Sequence, residues 1–338
     1  MNKIEEFIVN NIDNHSRDIA KLTALRFNIS VQAVNKHLKK LIVNNVVATQ
    51  GNTRAREYFL VQEIKVFDYK IDRKLSESVI WTRDIKELMP IKQNVNNVWA
   101  YGFMEMFNNA IEHSSGKNIR VVVFVSAIKT RMLILDDGIG IFKNIQNKFN
   151  LLNEHEAILE LSKGKLTTDK AHHSGEGVFF TSRAFDKFAI DSHGIMFTHN
   201  KDRRDFLFDD TEKSSNYGTA VLMEIANDSN RILKDVFKEF AGEDYGFDKT
   251  IIPIELAKYG DENLVSRSQA RRVLNRITLF KNVIFDFDNV PQIGQAFADE
   301  IFRVFAKMNP SVQLEYINAN EDVESMINRA KNSNIDDA

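Results

Sequence analysis

The sequence contains no cysteine, which excludes disulfide bridges, thiolate nucleophiles and cysteine-ligated zinc together and suits a reducing cytoplasm. Long apolar runs are missing too. Stretches such as Val121-Val122-Val123-Phe124-Val125 have the length of a strand, whereas a spanning helix needs about 20 apolar residues. The N-terminus has no cleavable apolar core, so neither membrane insertion nor export is expected. An excess of one charge sign is also lacking. With 45 Lys and Arg against 47 Asp and Glu, the net charge is −2, and any attraction for nucleic acid has to be local. No internal repeat or low-complexity linker is visible.

What is present describes a globular protein. Of 338 residues, 43% are hydrophobic and 27% charged, and that length implies two or three domains. The pattern of elements predicts a multidomain α+β chain divided at 1–62, 63–242 and 243–332. Glycine is unevenly spread. Eight of the 14 glycines (102, 116, 138, 140, 164, 175, 177 and 194) fall in one central stretch. Glycine lets backbone approach a ligand closely, so a pocket is expected there.

Residues 1–62 read as helices followed by a hairpin. Ser16 is placed to cap a helix through Ile19, Leu22 and Leu25, and Ser30 to cap a second from Val31 to about Asn44. Val34, Leu38 and Leu41 share the core side of that second helix, leaving Gln32, Asn35, Lys36, Lys39 and Lys40 outward. Val46-Val47-Ala48, a turn at Gln50-Gly51-Asn52 and a strand ending at Tyr58-Phe59-Leu60 come next, with Arg54 and Arg56 between. The first 60 residues hold nine Lys and Arg against five Asp and Glu. The segment resembles a winged helix-turn-helix. That resemblance implies double-stranded DNA as partner, contacted by Gln32, Asn35, Lys36, Lys39, Arg54 and Arg56.

In the central part a helix is predicted over Asn96 to Ser114, with Trp99, Phe103, Met106 and Ala110 toward the core. Glu105, Asn109 and His113, at i, i+4 and i+8, stack on the opposite face. Strands are predicted at Ile119–Ser126 and Arg131–Leu135, then a long lid-like stretch from Phe142 to Ser174. Further strands fall near Phe188–Ile190, Ile195–Thr198, Phe206–Phe208 and Ala220–Ile225, giving a largely antiparallel sheet. Three more polar elements lie beyond the helix. Asp136-Asp137-Gly138-Ile139-Gly140 ends a buried strand, Gly175-Glu176-Gly177 opens a helix, and Gly218-Thr219 precedes the last strand. A carboxylate at a strand end can accept from the adenine exocyclic amine. Glycine-flanked amides at a helix start bind anions.

Taken as a set over roughly 95–226, these four elements resemble the GHKL (Bergerat-fold) ATP-binding family, an α/β sandwich with a mostly antiparallel sheet. The resemblance implies Glu105 as acid/base or water-positioning residue and Asn109 as ligand to Mg2+. It makes Asp136 the adenine selector, with Gly138, Gly140, Gly175 and Gly177 lining ATP and Thr219 assisting. The lid would carry Lys163, Lys165 and Lys170.

The last part alternates strands (Thr250–Leu256, Asn282–Phe287, Val312–Ile317) with helices (Arg267–Ile277, Gln295–Met308, Glu321–Arg329). Val283-Ile284-Phe285-Asp286-Phe287-Asp288-Asn289-Val290 and Gly294-Gln295-Ala296-Phe297-Ala298-Asp299-Glu300 resemble STAS-like domains, small α/β modules that imply a protein partner. Gly294-Gln295 stand where an acceptor serine is expected, and Ser266 and Ser268 read as helix caps beside Arg267, Arg271 and Arg272. The only histidines before residue 95, His15 and His37, lie in the first segment, which disfavours a conventional histidine kinase. GHL-type ATPases also draw a lysine from a following domain, a part open to Lys258 or Arg267. The expectation is a cytoplasmic homodimer whose Mg-ATP binding, with slow hydrolysis at most, switches DNA or partner binding. A Ser/Thr kinase of the anti-sigma type and an ATPase subunit of a defence or repair system are the alternatives.

Overall fold

The computed structural model describes residues 1–52, 55–89, 91–166, 175–200, 203–209, 217–242, 246–258 and 262–333. The chain begins with α1 (Lys3–Asn11), whose start is closed by a reciprocal capping box between Asn2 and Glu5. Helices α2 (Ile19–Phe27) and α3 (Val31–Val43) come next. Ser30 caps α3, accepting from the Ala33 amide at 3.1 Å, and Val34, Leu38 and Leu41 are buried. Strands β1 (Val47–Gln50) and β2 (Glu57–Leu60) pair antiparallel. These elements enclose their own apolar core, in which Ile8, Ile12, Ile19, Leu38 and Val47 meet.

One expectation fails here. Ser16 does not cap α2, which starts after Asp18; the Ser16 carbonyl instead accepts from the Tyr58 amide at 2.9 Å, tying the interhelix turn to the hairpin. Helix α2 does run through Ile19, Leu22 and Leu25; it turns Ile19, Thr23 and Ala24 inward and leaves Leu25 83% exposed.

A seven-stranded sheet forms the centre. Its strands are β3 (Gln62–Lys70), β4 (Asn118–Ser126), β5 (Lys129–Asp136), β6 (Lys187–Ser192), β7 (Ile195–Asn200), β8 (Arg203–Asp209) and β9 (Thr219–Ala226). The order is β3-β4-β5-β9-β6-β7-β8 and every neighbouring pair is antiparallel. Between β3 and β4 run α4 (Glu77–Ile80), continued by a π-helical turn, and the long α5 (Gln93–His113). Between β5 and β6 come α6 (Ile141–Phe149), α7 (Glu154–Lys163) and α8 (Gly177–Ala184), and α9 (Leu233–Glu239) succeeds β9. Alternation along the strands turns Ile119, Val121, Val123, Met132, Ile134 and Met223 onto the buried side of the sheet. There they join Trp99, Phe103 and Phe107 of α5 in one core.

Strand β3 has no counterpart among the expected strands; seven of its nine residues are exposed and it lies at the sheet edge. The stretch expected as a lid is largely helical. Phe142 and Ile145 of α6, and Ala157, Ile158 and Leu161 of α7, are buried, and that spacing is what packs both helices against the body. Residues 167–174, with Lys170 and Ser174, lie outside the described residues.

The remaining elements are β10 (Lys249–Pro253), α10 (Arg267–Leu274), β11 (Asn282–Asp286), α11 (Gln295–Asp299), α12 (Ala306–Met308), β12 (Gln313–Ile317) and α13 (Glu321–Asn332). A π-helical stretch joins α11 to α12. The three strands are parallel in the order β10-β11-β12. The strand expected to reach Leu256 ends at Pro253, which has no amide for the ladder, and a 3-10 turn takes over. The chain is thus mixed α+β with mostly antiparallel sheets. Among the described residues no helix is long and apolar enough to cross a membrane.

Candidate functional site

The core spacing of α5 decides what its other side offers. With Trp99, Phe103, Met106 and Ala110 buried, Glu105, Asn109 and His113 come up one turn apart on a single wall. They face a cavity of about 270 Å³. Asp136, Thr219, Ile134 and Val221 contribute from the sheet, Ile141, Ile145 and Phe149 from α6 and its end, and Leu161 from α7. Gly175, Gly177 and Phe179 close the remaining side at the start of α8.

Asp136, the last residue of β5, is buried and stands opposite Thr219 in the β5–β9 ladder. Its carboxylate accepts from the Gly138 amide at 2.9 Å. Burial pushes the Asp136 carboxyl above its ordinary range, opposed by the bonds from Gly138 and Thr219. The Thr219 hydroxyl oxygen also accepts from the Ile141 amide at 3.1 Å, so one side chain supports both the carboxylate and the start of α6. The neighbouring Asp137 is used differently. It accepts from the backbone amides of Lys117 and Asn118 at 2.6 and 2.9 Å and from the Asn118 side chain at 2.7 Å, which pins the turn between α5 and β4 and lowers its pKa.

Close backbone approach explains the glycines. A β-carbon on Gly138 would collide with the backbone of Ser114 at the end of α5, and the next amide, Ile139, donates to the Ser114 carbonyl at 2.9 Å. Gly140, at φ +87°, makes the reversal into α6. A β-carbon on Gly177 would strike the Glu105 carboxylate, so this acid lies across the first turn of α8. Tyr101, one turn before Glu105, has its hydroxyl pKa pushed far up, first by burial and then by the charges of Glu105 and Glu176. Asn144, donating to the His113 carbonyl at 2.7 Å, locks α6 to the end of α5.

Glu105, Asn109, Asp136, Gly175, Gly177 and Thr219, far apart in sequence, line one cavity; Gly138 and Gly140 shape the turn beside it. Of the lysines named for the expected lid, Lys163 and Lys165 do not join them and Lys170 lies outside the described residues, whereas Lys148, in the same stretch, does line the cavity. Lys163 is fully buried on the far side of α7, and Lys165 donates to the Leu279 carbonyl at 2.8 Å. Neither Lys258 nor Arg267 is among the described lining residues, and Arg267 sits against Asp299 and Glu300. Among the described residues no cluster of three or more His, Asp and Glu is placed to hold a metal unaided. At the N-terminal end, Gln32, Lys36, Lys39 and Arg56 are exposed and Asn35 is half-buried, while Arg54 lies outside the described residues. Lys40 is exposed as expected and also pairs with the buried Glu5 at 2.9 Å.

Sequence reasoning missed the α6 and α7 side of the cavity. The signal is present in the residues: Ile141, Ile145 and Phe149 recur at four-residue spacing, the mark of one helix face.

Residues 269–324 match the model of a family described as a STAS-like domain of unknown function (DUF4325). The C-terminal part of the chain therefore carries a STAS-like domain. No curated protein matches the chain.

Proposed function

We propose that this chain is an Mg-ATP-binding regulator in which nucleotide binding switches DNA or partner binding. It comprises a winged helix-turn-helix (1–62), a GHKL-type nucleotide domain (63–242) and the STAS-like unit (243–332), and acts as a cytoplasmic homodimer. The observation that carries this reading is the convergence of Glu105, Asn109, Asp136, Thr219, Gly175 and Gly177 on one cavity with a buried carboxylate at its floor.

The residues fit the ligand chemically. The cavity is close to the lower end of the range for small-molecule sites, about 300–1,000 Å³. Asp136 accepts from the exocyclic amine of adenine, whereas guanine presents a carbonyl that leaves the buried carboxylate unpaired. Asn109 offers Mg2+ the neutral oxygen ligand it favours, and the ion, when bound, neutralises phosphate charge. Amides at the start of α8, kept accessible by Gly175 and Gly177, receive phosphate oxygens. Glu105 orients or deprotonates a water near the terminal phosphate. Along α3, Gln32, Asn35, Lys36 and Lys39 form the DNA-facing side, with Arg54 and Arg56 in the wing.

Transfer of phosphate onto the chain's own C-terminal unit is disfavoured by two observations. Gly294 is the cap residue of α11, with Gln295 beginning the helix. Ser266 is held in a capping box with Gln269.

The test is incubation of the purified chain with Mg2+ and γ-labelled ATP, following label into inorganic phosphate, into protein or neither, alongside equilibrium dialysis. A steep fall in ATP binding is expected in Asp136→Asn and Asn109→Ala, with slow phosphate release that Glu105→Ala abolishes. Undiminished binding in both pocket variants sinks the reading.

A further inference from the structure

The most heavily buried charge in the described chain lies outside the pocket, where α7 meets the end of α10. Lys163 has no solvent exposure. Its ammonium group uses all three donors, on Glu160 Oε1 at 2.7 Å and on the backbone carbonyls of Arg272 and Asn275 at 3.1 and 2.9 Å. Glu160, also buried, accepts in addition from Asn275 Nδ2 at 3.1 Å and Arg276 Nη1 at 2.8 Å. The other amino group of Arg276 donates to the carbonyls of Gly164 and Lys165. The Thr250 hydroxyl donates to the Lys163 carbonyl at 2.7 Å. Lys163 thus serves as the C-terminal cap of a helix in the next unit, where a cation is favoured by the helix dipole.

The same few residues build the cavity. Leu161, between Glu160 and Lys163 in sequence, and Leu166 both line it. The Leu166 amide donates to the carbonyl of Gly175, a third lining residue, at 3.0 Å. One face of residues 160–166 therefore contacts the cavity while the other is bonded to α10 and its end.

Apolar packing runs parallel to this connection. Phe179 lines the cavity and lies 4.5 Å from Phe247, which lies 5.3 Å from Phe280. Apolar contact is non-directional and tolerates sliding. A buried ion cluster does not, because each group moved out of register is left unpaired in a dry interior. A methionine at 163 would fill the same space more cheaply, so a charged cluster is better suited to holding one arrangement than to adding stability.

We propose that Glu160, Lys163 and Arg276 form a positioning latch through which the STAS-like unit sets the placement of α7 and hence the shape of the pocket. A protein bound to that unit and a ligand bound in the pocket then alter each other's affinity, as linkage requires. The ligand part rests on the reading of the pocket as an Mg-ATP site.

The experiment is hydrogen exchange on the full chain with and without Mg-ATP, for wild type, Lys163→Met and the double variant Glu160→Met with Lys163→Met. Lys163→Met leaves Glu160 paired with Arg276, and in the double variant Arg276 keeps its bonds to the Gly164 and Lys165 carbonyls, so the same response in both variants guards against simple unfolding of either one. Without ligand, exchange is expected to rise at 160–166 and in α10, and also across the cavity in α6 and the first turn of α8. With Mg-ATP, α10 and β11 gain protection in wild type and lose that response in the double variant, whose ATP affinity falls about tenfold while adenine is still preferred over guanine. A rise confined to 160–166 and α10, or equal Mg-ATP protection of α10 in wild type and double variant, overturns the latch. A wild type that binds no ATP defeats the nucleotide reading instead, and the ligand-free exchange pattern then decides on the latch.

Discussion

Asp136 and Thr219 face each other as partners where β5 ends and β9 begins, and the threonine oxygen that supports the carboxylate also receives the amide of Ile141. This is an expensive place for a charge. For a carboxyl whose folded pKa is raised, the folded state gains stability below the ordinary value of 3.8 and loses that gain as pH rises through the raised one. At neutral pH ionised Asp136 therefore weakens the ligand-free fold. Asp136→Asn keeps an acceptor for the Gly138 amide and removes the charge. Its Tm is expected to exceed that of wild type at pH 7, by a margin that shrinks toward pH 4. ATP affinity should meanwhile fall on the order of 100-fold, about 2 to 3 kcal/mol for a mispaired buried group. Scanning fluorimetry at both pH values checks the first part, and a lower Tm at pH 7 refutes it.

Gly177→Ala separates nucleotide binding from turnover. Alanine at a helix start is favoured over glycine by up to about 1 kcal/mol, so the fold is expected to tolerate it. The added β-carbon must push the Glu105 carboxylate aside. Phosphate release from ATP is expected to drop at least about tenfold, roughly 1.4 kcal/mol, with nucleotide affinity changed less than about threefold. Parallel turnover and dialysis measurements decide; equal losses in both would place Glu105 in binding rather than in the chemistry.

Much of this arrangement is legible in the residues because local rules and tertiary packing agree there. The spacing that buries Trp99, Phe103 and Met106 is the spacing that lifts Glu105, Asn109 and His113 together. The hidden part depends on long-range neighbours. Nothing in the sequence around Lys163 says that its partners come from 272 and 275, more than a hundred residues away, and an isolated lysine after a glutamate reads as a solvated helix face. Edge strand β3 is hidden for a related reason, since Gln62, Glu63 and Lys65 are as expected of a loop as of an unpaired edge. Ser16 misleads because capping propensity is local, while the position of α2 is fixed by the hairpin bonded to Ser16.

Glu5 predicts the acid response of the N-terminal unit. The Lys40 hydrogen bond first, aided by the Asn2 amide and His37, lowers its pKa from 4.5 to about 2. A carboxylate with a depressed folded pKa stabilises the fold above its ordinary value, and that contribution is lost as pH falls through the folded one. The packing of α1 on α3 is therefore expected to weaken between pH 4.5 and about 2. Lys40 is well exposed, so the pair is solvent-screened, and Glu5→Gln should cost only about 1 kcal/mol at pH 7. Chemical denaturation from pH 7 to 2 checks this: the variant should be flatter than wild type through the acid window, and parallel curves would contradict the assignment.

The same ion pair bears on the proposed contact of α3 with DNA. Lys40, though exposed, is drawn toward Glu5, whereas Lys36 and Lys39 are exposed cations of that helix not engaged by this carboxylate. If α3 lies in the major groove, each of these two lysines neutralises one phosphate and releases its counterion, about 0.9 in the slope of log affinity against log salt. Lys36→Ala with Lys39→Ala is then expected to reduce the salt slope for duplex DNA by nearly 2, whereas Lys40→Ala leaves it almost unchanged and instead lowers stability. Gln32→Ala and Asn35→Ala should alter discrimination between sequences with little change in slope, because amide side chains read base edges rather than phosphate charge. Fluorescence anisotropy over a salt series separates these outcomes. An unchanged slope in the double lysine variant would remove α3 from the DNA surface and point to docking of a protein on this helix.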